Sequence, residues 1–202
     1  MENKRYTTDG VTVWFTGLPC SGKTTVSQVV AKRLRDCGLN VEVLDGDVIR
    51  TNLSKGLGFS KVDRDTNVRR VGFVCNLLSR NGTVAIAAVV SPYRNIRQEL
   101  KDGIERFVEV YVNCPVEECQ RRDVKGMYAK ALRGEITSFT GVDDPYEEPE
   151  TAEVELQTQN EDVEESATKV IAVLEAQGLI SPCASQPTPA GDRHANDRHE
   201  EL

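Results

Sequence analysis

The chain has 202 residues, a formal net charge of −7, a sequence pI of about 5.0 and an apolar share of 39%. That length suits one compact domain with a sizeable core. The acidic balance excludes the broad basic surface that nucleic-acid binding needs, and no apolar run approaches the ~20 residues that cross a bilayer. The polar start from Met1 to Arg5 carries no signal-peptide pattern, so a cytoplasmic setting is expected.

Residues 11–16 read as an apolar strand and 24–35 as a helix. Between them runs Gly17-Leu18-Pro19-Cys20-Ser21-Gly22-Lys23-Thr24, followed by Thr25. A glycine, four free positions and then Gly-Lys-Thr is the spacing of a phosphate-binding loop. Its glycines let successive backbone N–H groups converge on one anion, and the following helix adds the positive end of its dipole. Lys23 is placed to reach the β- and γ-phosphates of a nucleoside triphosphate, and the Thr24 hydroxyl to ligate Mg²⁺. A plain glycine turn between strand and helix would need no lysine and no hydroxyl there.

A second strand is predicted at 41–44, followed by Asp45-Gly46-Asp47. Asp-Gly is common in turns. Beside a Mg-nucleotide, however, one carboxylate (Asp45) would hold the metal and the other (Asp47) would orient or deprotonate an attacking hydroxyl. Arg50, Arg64 and Arg69 follow, as forks suited to a second, anionic substrate or to a solvated helix surface. Residues 68–80 read as a helix, with Ser60 and Asp63 resembling a capping box at its start. The continuous apolar run 83–90 reads as a strand buried on both faces and leads into Ser91-Pro92-Tyr93-Arg94. A strand at 107–112, a short helix at 115–122, a strand at 154–156 and a helix at 162–177 ended by Gly178 complete the pattern.

This alternation predicts an α/β fold, a P-loop NTPase-type three-layer sandwich with a parallel sheet and helices on both faces. Such sheets bind ligands at the carboxyl ends of their strands, so the phosphate loop, 45–47 and 91–94 should meet in one crevice. The glycine- and charge-rich stretch 125–144 reads as a mobile lid over it. Phe59 and Phe139 sit on glycine-bearing loops, where an aromatic ring either stacks on a purine or packs into the core. The kinase domain is expected at 1–180, with a disordered tail at 181–202 whose His194 and His199 are given no metal role. Six cysteines, at 20, 37, 75, 114, 119 and 183, show no metal spacing and read as small core residues, Cys20 in the loop being the exception.

Five blocks together resemble the adenylylsulfate kinase family. They are Leu44 to Arg50, Leu57-Gly58-Phe59-Ser60, Asp63-Arg64 with Asn67 to Arg70, Ser91 to Arg94, and Gly134 to Tyr146. The likeness runs from about residue 11 to 178. It implies transfer of the γ-phosphate of ATP, with Mg²⁺, to the 3′-hydroxyl of adenosine 5′-phosphosulfate. It also implies a homodimer, and ATP sulfurylase as a functional partner. By the same resemblance Asp47, Arg50, Phe59, Arg64, Asn67, Val90, Ser91, Lys125, Ser138 and Phe139 touch the acceptor. Phe59 and Phe139 would sandwich its adenine, and Arg50 and Arg64 would meet its phosphosulfate. The catalytic set would be Lys23, Asp45, Asp47 and Ser91, with direct transfer preferred over a phosphoserine at Ser91. Three positions depart from the family pattern: Cys20 in the phosphate loop, Ala129 in the lid, and Ser138 where glycine is common. The competing expectations are another small-molecule kinase, acting on a nucleoside monophosphate or gluconate, and a regulatory nucleotide-binding domain.

Overall fold

A computed structural model describes residues 5–182, apart from the side chains of Asp47, Val48 and Arg50. The elements are β1 (Tyr6–Thr7), β2 (Val11–Thr16), α1 (Lys23–Asp36), β3 (Val41–Asp45), α2 (Gly46–Asn52), α3 (Lys61–Ser79) and β4 (Val84–Ala88). Then come α4 (Arg94–Gly103), β5 (Phe107–Asn113), α5 (Val116–Arg122), α6 (Met127–Leu132), β6 (Val154–Gln157), α7 (Val163–Ala176) and β7 (Ser181–Pro182).

Every residue of β2 and of β4 is buried, as expected of strands covered on both faces. The main sheet has the order β3-β4-β2-β5-β6 and is parallel throughout. Alternation along β2 splits the core in two. Val11, Val13 and Phe15 pack with Val26, Val30 and Leu34 of α1 and with Val170 and Leu174 of α7. On the other face Trp14 packs with Val68, Val71 and Cys75 of α3 and with Ile96 and Leu100 of α4. Fully burying each such side chain contributes about 1.5–3 kcal/mol, so both helical layers are held mainly by this alternation. The connection from β2 leads outward to β3, whereas that from β4 crosses to β5. Their carboxyl ends therefore border the crevice expected at such a switch point.

Several elements differ from the sequence expectation. α3 begins at Lys61 because Ser60 caps it: its Oγ accepts from Asp63 N (3.2 Å) and donates to the Asp63 carboxylate (2.7 Å). Its first two turns are polar and face the crevice, which hides them from an apolar-period reading. α2, α4 and α6 were not anticipated, and Asp45-Gly46-Asp47 is a strand-to-helix junction and not a turn. Ser181 and Pro182 pair antiparallel with Thr7 and Tyr6. The rest of the expected tail, with Cys183, His194 and His199, lies outside the described residues.

Candidate active site

The phosphate loop leaves β2 at Gly17, whose φ is +146° and where a Cβ would lie 2.6 Å from the Val112 carbonyl. Only glycine fits so close to β5. Gly22 has φ +106° and Cys20 φ +61°, the left-handed region where L side chains are strained. Cys20, where the resemblance expects Gly or Ala, thus holds a backbone conformation that glycine alone adopts without strain. Lys23 is 8% exposed, and its Nζ donates to the carbonyls of Gly17 (3.0 Å) and Leu18 (2.7 Å). Burial lowers its pKa to about 8, against the opposing pull of Cys119, Cys20 and Asp45. Thr24 and Thr25 are exposed on the first turn of α1. The Ser21 hydroxyl is buried without a partner among the described residues.

The loop is braced from outside by Arg122, which no motif of the sequence singles out. Arg122 Nη1 donates to the Ser21 carbonyl (3.3 Å) and Nη2 to the Thr158 carbonyl (2.8 Å), while Thr158 Oγ1 donates to the Ser21 carbonyl (2.6 Å). Asp45 ends β3, in register with Ala88 of β4, and its charge is felt at Lys23. Asp47 and Arg50 are carried by α2; their side chains lie outside the described residues.

Ser91 follows β4 with φ +40° and 2% exposure. Its Oγ accepts from Trp14 Nε1 (3.0 Å) and donates to Thr16 Oγ1 (2.9 Å). Thr16 in turn donates to the Val90 carbonyl (2.8 Å) and is bonded to Tyr146 Oη (2.9 Å). The hydroxyl is thus engaged in both directions and turned into the protein.

The predicted lid returns onto the phosphate loop. Tyr128 Oη donates to the Pro19 carbonyl (3.3 Å), and the Phe139 ring meets Tyr128 edge-on at 4.9 Å. A Cβ on Gly141 would lie 2.9 Å from Leu18 Cδ2. Asp143 holds the turn by accepting from the backbone N–H groups of Ser138 (2.7 Å) and Phe139 (2.6 Å), which lowers its own pKa. Ser138 has φ +57°, and this accounts for the glycine common there in the family pattern.

Arg64 joins this turn to the Phe59 segment. Nε donates to the Phe59 carbonyl (2.9 Å), Nη1 to Thr140 Oγ1 (2.8 Å) and Nη2 to the Ser138 carbonyl. Phe59 is 46% exposed, with the Arg64 Cζ 5.9 Å from its ring centroid. Ser54 donates to Asn67 Oδ1, and both line a hollow with Leu57, Gly58, Asp63 and Arg64. Lys125 is exposed between α5 and α6. Lys23 thus bonds to Leu18, Leu18 packs so close to Gly141 that a Cβ there would not fit, and Arg64 bonds the neighbouring Thr140 to the Phe59 segment.

A phosphate loop at the switch point of a parallel sheet, walled by a second aromatic-bearing segment, defines a P-loop phosphotransferase. Residues 9–157 match the family described as adenylylsulphate kinase, and the chain belongs to that family. It is 57% identical over 173 residues to an adenylyl-sulfate kinase from Picosynechococcus sp., a match covering 86% of this chain and 98% of that one. A probable bifunctional SAT/APS kinase 2 from Sorangium cellulosum is 53% identical over 171 residues, spanning 85% of this chain and 29% of that protein. Among solved structures, the Mycobacterium tuberculosis APS kinase CysC in complex with AMPPNP and APS superposes with a TM-score of 0.79 at 42% identity, covering 82% of this chain and 98% of that one.

Proposed function

We propose that the chain transfers the γ-phosphate of ATP to the 3′-hydroxyl of adenosine 5′-phosphosulfate, forming 3′-phosphoadenylyl sulfate and ADP in sulfate assimilation. The observation that carries this reading is the closeness of the Gly141 turn to Leu18 of the phosphate loop, with Arg64 bonding that turn to the Phe59 segment, in a member of this family.

In this reading the loop from Gly17 to Thr25, with Leu18, Pro19, Cys20, Ser21 and Gly22 between, holds the phosphates by its backbone N–H groups. Lys23 turns its ammonium from the two loop carbonyls to the β- and γ-phosphates. A hydroxyl at Thr24 and a carboxylate at Asp45 are hard oxygen donors, and Lys23 feels the Asp45 charge across the crevice; this set suits Mg²⁺. Bound there, Mg²⁺ would neutralise developing phosphate charge. Asp47, on the first turn of α2, orients the acceptor 3′-hydroxyl and takes its proton. Phe59 and Phe139 hold the acceptor adenine between them. Arg50, Arg64, Asn67, Val90, Lys125 and Ser138 complete the acceptor wall. Transfer is direct, because positioning and charge neutralisation suffice. Ser91 supports that wall from within.

We further propose a homodimer in the cytoplasm with ATP sulfurylase as functional partner, since the acceptor needs an adenylyl transfer to sulfate to make it. No helix among the described residues is long and apolar enough to cross a membrane. The test is ADP release with adenylylsulfate, AMP or gluconate as acceptor. Release with adenylylsulfate alone is expected. Release with AMP or gluconate instead would replace the reading by another small-molecule kinase, and nucleotide binding without turnover by a regulatory domain.

A further inference from the structure

Arg97 on α4 is 2% exposed, far from the exposure usual for arginine. Its guanidinium serves three segments at once. Nε donates to Glu109 of β5 (2.8 Å), Nη1 to the Ser91 carbonyl (2.7 Å) and Nη2 to the Glu147 carbonyl (2.6 Å). Its Cζ also lies 5.5 Å from the centroid of the Tyr146 ring. Tyr146 Oη meets Thr16, the residue before Gly17 of the phosphate loop. One buried fork therefore ties the strained turn at Ser91 and the return of the lid segment to the strand that launches the donor loop.

We propose that Arg97 is a positioning residue for phosphoryl transfer, fixing the acceptor wall at Val90 and Ser91 against the phosphate loop through its two carbonyl contacts. The inference rests on the proposed phosphotransfer activity. It assigns the Glu109 carboxylate a separate part, that of compensating a buried charge. Ion pairs of this kind add little stability over apolar replacements of similar volume, but removing one partner alone strands the other. A pair kept for stability alone would be dispensable together. A pair kept for placement would not, since loss of the fork frees both carbonyls and lets the wall drift. A displacement of about 1 Å at reacting groups costs on the order of 10²-fold in rate.

The experiment compares the wild type with the double variant R97M/E109L, which avoids a stranded charge, and with E109Q, which keeps an acceptor for Arg97 Nε. Three readouts are taken: single-turnover formation of 3′-phosphoadenylyl sulfate at saturating substrates, KM for ATP, and fluorescence of Trp14. Trp14 is the sole tryptophan and its N–H is bonded to Ser91. The double variant should melt a few degrees lower, because two carbonyls lose their donor, yet stay folded at the assay temperature and transfer about 10²-fold more slowly, with KM for ATP changed less than about threefold and a red-shifted Trp14 emission. E109Q should transfer within about threefold of wild type with unshifted emission, even if it melts lower. A folded double variant at wild-type speed would overturn the proposal. So would a rate loss in E109Q equal to that in the double variant, because speed would then follow the ion pair and not the fork. Should the double variant not fold, R97K serves in its place, since a single nitrogen on a shorter side chain cannot reach the three acceptors that the fork's separate nitrogens meet. Full speed in R97K would overturn the proposal in the same way. A wild-type chain inert toward adenylylsulfate would instead overturn the functional reading, and this inference with it.

Discussion

In the proposed reading Lys23 sets the chemistry of the donor side. Its ammonium is buried against two loop carbonyls, and burial brings its pKa to about 8. The triphosphate prefers the charged form. Raising the pH through 8 strips the proton from the free protein, so ATP binding must then take one up. Apparent ATP affinity should hold below pH 7 and fall above 8, approaching about tenfold per pH unit. Calorimetry in buffers of differing ionisation enthalpy would measure the uptake directly. Lys23→Arg keeps its charge over this range and should flatten the profile; a slope unchanged in that variant would assign the titration elsewhere. Ser91 is the second decisive residue. Losing a covalent nucleophile costs on the order of 10⁶-fold in turnover. Ser91→Ala should instead leave turnover within about tenfold and lower stability by about 1–3 kcal/mol, because Trp14 Nε1 loses its buried acceptor. Thermal melting and steady-state rates on one preparation separate the two outcomes, and a 10⁶-fold collapse would restore the phosphoserine route.

Between residues and fold stands the turn from Ser138 to Asp144, which carries Phe139 over the loop. It is held by one carboxylate: Asp143 binds the backbone N–H groups of Ser138 and Phe139. Asp143→Ala should therefore raise KM for adenylylsulfate about tenfold while leaving KM for ATP near its wild-type value, on the premise that charge-assisted bonds of this kind are worth about 1.5–3 kcal/mol. Equal shifts in both constants would mean that the turn steadies the whole crevice and not the acceptor ring. The sequence announced this turn only through its family likeness. Glycines at 134 and 141 marked a loop, but nothing local says that Asp143 reaches back to its own turn, or that Arg64 crosses from α3 to Thr140. The Arg64 contact joins residues 76 positions apart, which a window of periodicity cannot register. The phosphate loop was legible for the opposite reason: strand, loop, lysine and helix are contiguous, and backbone geometry alone makes the site. Arg97 lay between these cases. Its charge reads as surface until the fold buries it beside Glu109.

At the scale of the whole molecule the strands were readable because a parallel sheet buried on both faces demands mostly apolar runs, continuous in β4 and broken only by Thr12 in β2 and Glu109 in β5. What stayed hidden was polar or short. The start of α3 is polar, α2 and α6 have only 7 and 6 residues and so show no helical period, and β1 and β7 are pairs of residues. The β1–β7 pair offers a test of how the molecule divides its tasks. Thr8 Oγ1 donates to the Leu179 carbonyl (2.7 Å) and accepts from Gly10 N (2.9 Å), closing the β1–β7 clasp where the chain enters β2. Gly17, Asp45 and Ser91 lie at the carboxyl ends of β2, β3 and β4, the opposite end of the sheet from this clasp. Thr8→Val keeps the shape and removes both bonds, at a cost of about 1–2 kcal/mol. For a chain of this size that is a fall of about 2–8 °C in Tm. Turnover and both KM values should stay at wild-type levels at 25 °C. A variant that melts lower and also turns over more slowly would show that strain at the clasp reaches the crevice through β2. The sheet would then be a mechanical part of the site and not only its support.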